Sequence, residues 1–175
     1  MKIDSVDVII PTFNNGKYLV DAISSVVSQS HYVNKLLVID DGSTDNTREI
    51  IASLASSKSK LQYVYQVNKG LSSARNTGIK LSTAKYLAFL DADDIWMPGK
   101  LESQINKFHT TKYTNLGLVY GEYLDIDEEG KTIKNFGGFR LHPEIQGDVA
   151  KQLIECNYAT GSGSAVLVKR ECFDR

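Results

Sequence analysis

Short apolar runs alternate with amphipathic stretches along the first two thirds of the chain. Asp7-Val8-Ile9-Ile10-Pro11 opens the series, and Lys35-Leu36-Leu37-Val38-Ile39 runs straight into Asp40 and Asp41. Leu61-Gln62-Tyr63-Val64-Tyr65 is a third run, and Tyr86-Leu87-Ala88-Phe89-Leu90 ends on Asp91, Asp93 and Asp94. Continuous apolar runs of this length predict buried strands of a parallel sheet. Between them the spacing becomes helical. Leu19, Ala22, Ile23, Val26 and Val27 share one face, as do Ile50, Ile51 and Leu54. A third helix is predicted from about Ser72 to Leu81, with Leu71, Ala74, Gly78 and Ile79 on its packed side. A fourth carries Leu101, Ile105 and Phe108, with Pro98 as its first residue.

Four alternations with short connections predict βαβ units, hence an α/β fold with a mostly parallel, Rossmann-like sheet and helices on both faces. Right-handed crossovers then bring the strand-end acids to one rim, although some fifty positions separate Asp40 and Asp41 from Asp91 and Asp93.

The remainder reads differently. Gly117-Leu118-Val119-Tyr120 is a strand, and Glu122 to Ile126 with Lys131 to Ile133 flank the turn Asp127-Glu128-Glu129-Gly130, predicting a small β-hairpin. Gly137 to Pro143 reads as loop, Asp148 to Glu155 as a helix with Val149, Leu153 and Ile154 inward, and Ala165 to Val168 as a last strand. Lys169 to Arg175 reads as the first turn of another helix. One domain over residues 1–175 is expected, with a ligand-binding half over 1–115 and the start of a second half over 116–175.

Composition narrows the classes. With 175 residues, 42% apolar and 23% charged, the chain can bury a core of its own. A net charge of −1 disfavours a broad nucleic-acid or anionic-membrane footprint, and no apolar run approaches the roughly eighteen residues that span a bilayer. The start of the chain lacks the apolar core of a signal peptide. Cys156 and Cys172 form neither a CxxC pair nor a disulfide framework, and His31, His109 and His142 give no zinc spacing. A cytoplasmic location follows as the expectation.

The acids after the fourth strand carry the candidate chemistry. Three carboxylates within four positions repel one another and favour a cation. Oxygen-only ligands suit Mg²⁺ or Mn²⁺, with a diphosphate completing the shell. A solvated acidic turn closing a strand is the simpler alternative.

Four segments stand in order: Val8-Ile9-Ile10-Pro11-Thr12-Phe13-Asn14, Val38-Ile39-Asp40-Asp41-Gly42-Ser43-Thr44-Asp45, Gly70-Leu71-Ser72-Ser73-Ala74-Arg75-Asn76 and Leu90-Asp91-Ala92-Asp93-Asp94. Together they closely resemble the family 2 inverting nucleotide-sugar glycosyltransferases of the GT-A fold. Ser164 to Arg170 and the hairpin are similar to that family as well. The resemblance implies that Pro11, Thr12 and Phe13 border the nucleotide base. It also implies that Asp41 accepts from the base or ribose, Asp91 holds the ribose side and Asp93 ligates Mg²⁺ or Mn²⁺. Arg75 stands where the family has an Arg-Asn pair near the donor; a helix-surface ion pair to the acids is the equal alternative. Asp40 and Asp94 read as loop-capping or supporting residues, and Trp96 as core.

The activity implied is transfer of a sugar, with inversion, from a nucleotide diphosphate sugar (UDP-linked as the first choice) to a saccharide or lipid-linked acceptor hydroxyl, in the synthesis of cell-surface polysaccharide or glycoconjugate. The family's catalytic base lies in an acidic motif expected beyond Arg175, so no catalytic residue is assigned. The full-length protein is then expected in the cytoplasm or at the inner face of the membrane. The alternative is a domain that binds a nucleotide sugar without transferring it. Other α/β readings lack their motifs: no G-x-G-x-x-G follows a strand, and no P-loop occurs. The glycine-, arginine- and lysine-rich loop of a sugar nucleotidyltransferase is missing, and the Asp91–Asp94 cluster does not suit a phospho-acceptor receiver domain.

Overall fold

The computed structural model describes residues 4–55, 59–133, 147 and 162–174. Six strands form one sheet in the order β3-β2-β1-β4-β6-β5. The four predicted strands are β1 (Val6–Thr12), β2 (Val33–Asp40), β3 (Leu61–Tyr65) and β4 (Tyr86–Phe89), and all pair in parallel. They are linked by α1 (Gly16–Val27), α2 (Thr47–Ala55) and α3 (Leu71–Leu81), and α4 (Lys100–Thr110) follows β4. β5 (Leu118–Tyr120) and β6 (Val166–Lys169) complete the sheet, with β6 antiparallel to both β4 and β5. The mixed sheet therefore has a parallel half, which carries the βαβ units, and an antiparallel extension.

Strand alternation decides which helices cover which face. Val6, Val8 and Ile10 of β1 point to one side with Leu36, Val38, Ala88 and Leu90, and Leu19, Ile23 and Val26 of α1, Ile51 of α2 and Leu101 and Ile105 of α4 cover them. Ile9, Leu37, Ile39 and Phe89 point to the other side, where Ala74 of α3 meets them. Gly78 permits that contact: a Cβ there would lie 2.5 Å from Ile9 Cγ2.

Several local expectations change. α4 begins at Lys100 because Gly99 takes φ +79° at its N-cap, which leaves Pro98 in the preceding turn. Leu71 is half-exposed because the first turn of α3 borders a cavity, and only Ala74 and Gly78 of that helix are fully buried. The hairpin is a tight turn closed by one bridge, Ile126 to Thr132, with no extended strands. Arg170–Phe173 is a short 3₁₀ turn in place of a helix start. The Gly137–Pro143 loop and the Asp148–Glu155 helix lie outside the described residues. No described helix is long and apolar enough to cross a membrane.

Two charged groups, one buried and one partly buried, mark the frame. Asp7, 0% exposed, accepts from Asn34 Nδ2 at 2.8 Å and from the N–H groups of Lys35, Thr83 and Ala84 at 3.1, 2.6 and 2.9 Å. It ties the start of β2 to the turn before β4, at the end of the sheet away from the strand-end acids. Lys100 lies over the Trp96 ring, 4.2 Å from its centroid, and donates to Gln104 Oε1 at 2.8 Å. Burial pushes its ammonium down to about 7.

Asp7→Ala strands three backbone donors in the interior, and urea unfolding should show a loss of about 3 kcal/mol or more. Lys100 binds fewer protons in the folded chain than in the unfolded one between pH 7 and its ordinary value of 10.5. Its cost to the fold is complete below about pH 7 and is relieved as pH rises through that window. Urea midpoints should therefore show the wild type gaining on Lys100→Met from pH 7 to pH 10; parallel curves would contradict a lowered Lys100 ammonium.

Candidate functional site

The carboxyl ends of β1, β2 and β4 open onto one cavity of about 540 Å³. Pro11, Thr12, Phe13, Asp41, Asp91 and Asp93 line it, together with Asn15, Asn68, Gly70, Leu71, Ala74 and Ala92. Six of the seven residues singled out in the sequence thus line one cavity. The seventh, Arg75, is not in the lining. Its Nη2 donates to Asp91 Oδ1 at 2.6 Å, so it reaches the site through that carboxylate.

Loop geometry at this rim follows from acceptors that the sequence places after each strand. Asn14, at φ 54°, turns its amide oxygen to the N–H groups of Thr44 and Asp45 at 2.8 and 3.3 Å. Asp45 returns the link by accepting from Gly16 N–H at 3.0 Å and from Thr47 N–H at 3.0 Å, which joins the start of α1 to the start of α2. Asp40 caps its own loop through Ser43 N–H at 2.8 Å and receives the Tyr63 hydroxyl at 2.7 Å. Burial and the neighbouring carboxylate together raise the Tyr63 phenol, which keeps it a donor.

Asp41 is 3% exposed and holds the loop before α3. Its Oδ1 accepts from Gln66 Nε2 at 2.6 Å and Lys69 N–H at 2.9 Å, and Oδ2 accepts from Gly70 N–H at 2.7 Å. A carboxylate offers about four lone-pair sites, so one on Oδ2 is left for a ligand. Thr12 Oγ1 is buried in the cavity wall with no hydrogen-bond partner. Phe13, 47% exposed, presents its ring at the edge.

The acid cluster corrects the picture of three mutually repelling charges. Asp91 is paired with Arg75, and Asp94 Oδ2 accepts from the hydroxyls of Ser162 and Ser164 at 3.1 and 2.5 Å. Two of the three carboxylates are therefore compensated by protein donors. Only Asp93 is exposed and bonded to no described residue. The donor set fits a hard divalent cation: Asp93 is unengaged, and Asp91 Oδ2 takes no described partner. Among the described residues no group of three or more His, Cys, Asp or Glu side chains is arranged to enclose a metal, so a ligand's own oxygens would complete the shell. Trp96 is buried in the core, with Nε1 donating to Ser164 O at 2.9 Å.

Sequence reasoning gave no site role to Gln66, Asn68 or the two serines, although Ser164 stood in a segment similar to the family. Asn68 stands just before Gly70, and an Asn-Lys-Gly step ahead of a helix is a turn signal that could have found it. Nothing periodic marks Gln66, and Ser162 lies within a glycine-serine stretch that reads only as loop.

Comparisons with known proteins bear on the family and the fold. A UDP-Glc:alpha-D-GlcNAc-diphosphoundecaprenol beta-1,3-glucosyltransferase of Escherichia coli is 39% identical over 118 residues, 67% of this chain and 45% of that protein. Residues 1–349 of Staphylococcus aureus TarS, in complex with UDP-GlcNAc, superpose with a TM-score of 0.54 at 27% identity, covering 60% of this chain and 32% of that one. The mannosyltransferase PcManGT of Pyrobaculum calidifontis, in complex with GDP-Man and Mn²⁺, shares the fold with a TM-score of 0.59 at 23% identity, over 66% of this chain and 34% of that one. The chain spans 24% to 47% of the length of the first curated relatives it matches. The GT-A fold is common to these structures and to the sheet described above. Residues 7–175 match the glycosyl transferase family 2 domain, and the chain belongs to that family.

Proposed function

We propose that this chain binds a nucleotide diphosphate sugar, UDP-linked, together with Mg²⁺ or Mn²⁺, as the donor half of an inverting glycosyltransferase. The observation that carries the reading is the convergence of Pro11–Phe13, Asp41 and Asp91–Asp93, from three separated segments, on one cavity of about 540 Å³. That volume lies within the roughly 300–1,000 Å³ usual for small-molecule sites.

Each wall has a fitting role. The Phe13 ring offers an apolar face to the base. The open lone pair of Asp41 and the unpartnered Thr12 hydroxyl offer polar contacts to base or ribose. The N-terminus of α3, opening at Gly70, favours an anionic group. Asp93, with Asp91 beside it, would hold the cation, which supplies charge neutralisation to a diphosphate leaving group. Two unit charges about 4 Å apart interact by about 4 kcal/mol at an effective dielectric of about 20, so that neutralisation matters for bond breaking. No residue of the cavity is assigned as the base that takes the acceptor's proton. The acceptor is a saccharide or lipid-linked hydroxyl, and the enzyme would work in the cytoplasm or at the inner membrane face.

Titration calorimetry with UDP should show clear binding in Mn²⁺ or Mg²⁺ and much weaker binding in chelator; equal affinities would remove the metal from the reading. Asp93→Asn should abolish most of the metal-dependent gain, about tenfold or more. Its melting temperature should not move, because Asp93 is exposed and bonds to no described residue. An unchanged gain would place the cation elsewhere.

A further inference from the structure

The Ser162-Gly163-Ser164 turn stands outside the cavity lining, yet it grips the acidic wall from behind. Ser164 alone reaches three residues of the segment Asp91–Trp96. Its hydroxyl accepts from Asp91 N–H at 2.9 Å and donates to Asp94 Oδ2 at 2.5 Å, and its carbonyl accepts from Trp96 Nε1 at 2.9 Å. A hydroxyl has a single proton to donate, and here it goes to the carboxylate. Ser162 adds a second link by accepting from Ser164 N–H at 3.0 Å and donating to the same Asp94 oxygen at 3.1 Å. Gly163 fits between them because a Cβ there would lie 2.9 Å from Arg75 Nη2, the atom that bonds Asp91.

Asp93 has no partner of its own among the described residues, so the backbone on either side fixes its position. Both flanks, at Asp91 and Asp94, are held by the one hydroxyl. We propose that Ser164 is a positioning residue that fixes the Asp91–Trp96 turn so that Asp93 is presented to the cation accompanying the bound nucleotide. This rests on the metal-nucleotide reading of the cavity. Residues that orient a ligating group from outside the metal's own shell typically affect metal affinity by about 10–100-fold when removed. Ser164→Ala deletes both hydroxyl bonds and leaves the Asp91 N–H without its acceptor, while the volume changes by one oxygen.

The test measures UDP affinity by calorimetry, in Mn²⁺ and in chelator, for the wild type, Ser164→Ala and Ser164→Thr, with a thermal melt of each. The expected result is that Ser164→Ala loses about tenfold or more of the Mn²⁺-dependent gain while its affinity in chelator stays at the wild-type value. Ser164→Thr, which keeps the hydroxyl, should recover the gain. If Ser164→Ala lowers only the melting temperature and keeps the full gain, the residue is structural and the inference is overturned. If the wild type itself gains nothing from Mn²⁺, the metal-nucleotide reading fails and takes the inference with it. Should Ser164→Ala not fold, Ser162→Ala removes one of the two bonds to Asp94; a partial loss of the gain supports the inference, and an unchanged gain overturns it.

Discussion

Backbone N–H groups at the ends of parallel strands have no ladder partner, and in a crowded rim each must find an acceptor. This requirement shapes the site. Asp41 collects Gln66, Lys69 and Gly70, Asn14 collects Thr44 and Asp45, and Asp45 collects Gly16 and Thr47. All but the Asp45–Thr47 bond join a loop after one strand to a loop or helix start after another. The cavity is therefore bordered by chain that is fixed before any ligand arrives, which lowers the ordering cost of binding. Of the five aspartates at strand ends 2 and 4, four are engaged in this internal work. The candidate chemistry falls to the fifth, Asp93, because it is left over.

The same acceptor chemistry appears at the opposite end of the sheet without a site. Asp7 satisfies four donors, as Asp41 satisfies three, and both are nearly inaccessible. What separates the two ends is open volume. Asp41 stands in the wall of a cavity with one lone pair to spare, whereas the four bonds of Asp7 use its usual acceptor capacity in closed surroundings. Burial of a carboxylate is thus a poor guide to function in this fold; residual acceptor capacity beside empty space is the better one.

Much of this was legible in the sequence because it is written locally. Apolar runs fixed four strands, helical periodicity fixed the packed faces of α1, α2 and α4, and acids at strand ends fall on one rim by handedness alone. The failures are also physical. Leu71 keeps helical phase with Ala74, but phase does not say that the sheet has ended beneath it. Pro98 is a good first helical residue until Gly99 takes a left-handed conformation, which depends on how the turn meets α1 and the core. The ion pair of Arg75 with Asp91 was one of the two readings the sequence offered for that arginine, and it is the one observed; the hydroxyls on Asp94 went unseen because Ser162 and Ser164 lie about seventy positions after it.

The position of those serines follows from the direction of one strand. β6 pairs antiparallel with β4, setting Ala88 opposite Leu167 and Tyr86 opposite Lys169. The residues that lead into an antiparallel strand must lie beside the carboxyl end of its neighbour, so the turn before β6 arrives at the turn after β4. Had β6 continued the parallel series, its leading turn would stand at the Asp7 end, and the Asp91 N–H and the Asp94 carboxylate would need other partners. The antiparallel extension is thus more than an added strand. It delivers the hydroxyls that restrain the acidic wall from a segment remote in sequence, and it leaves the parallel half free to supply the remaining walls.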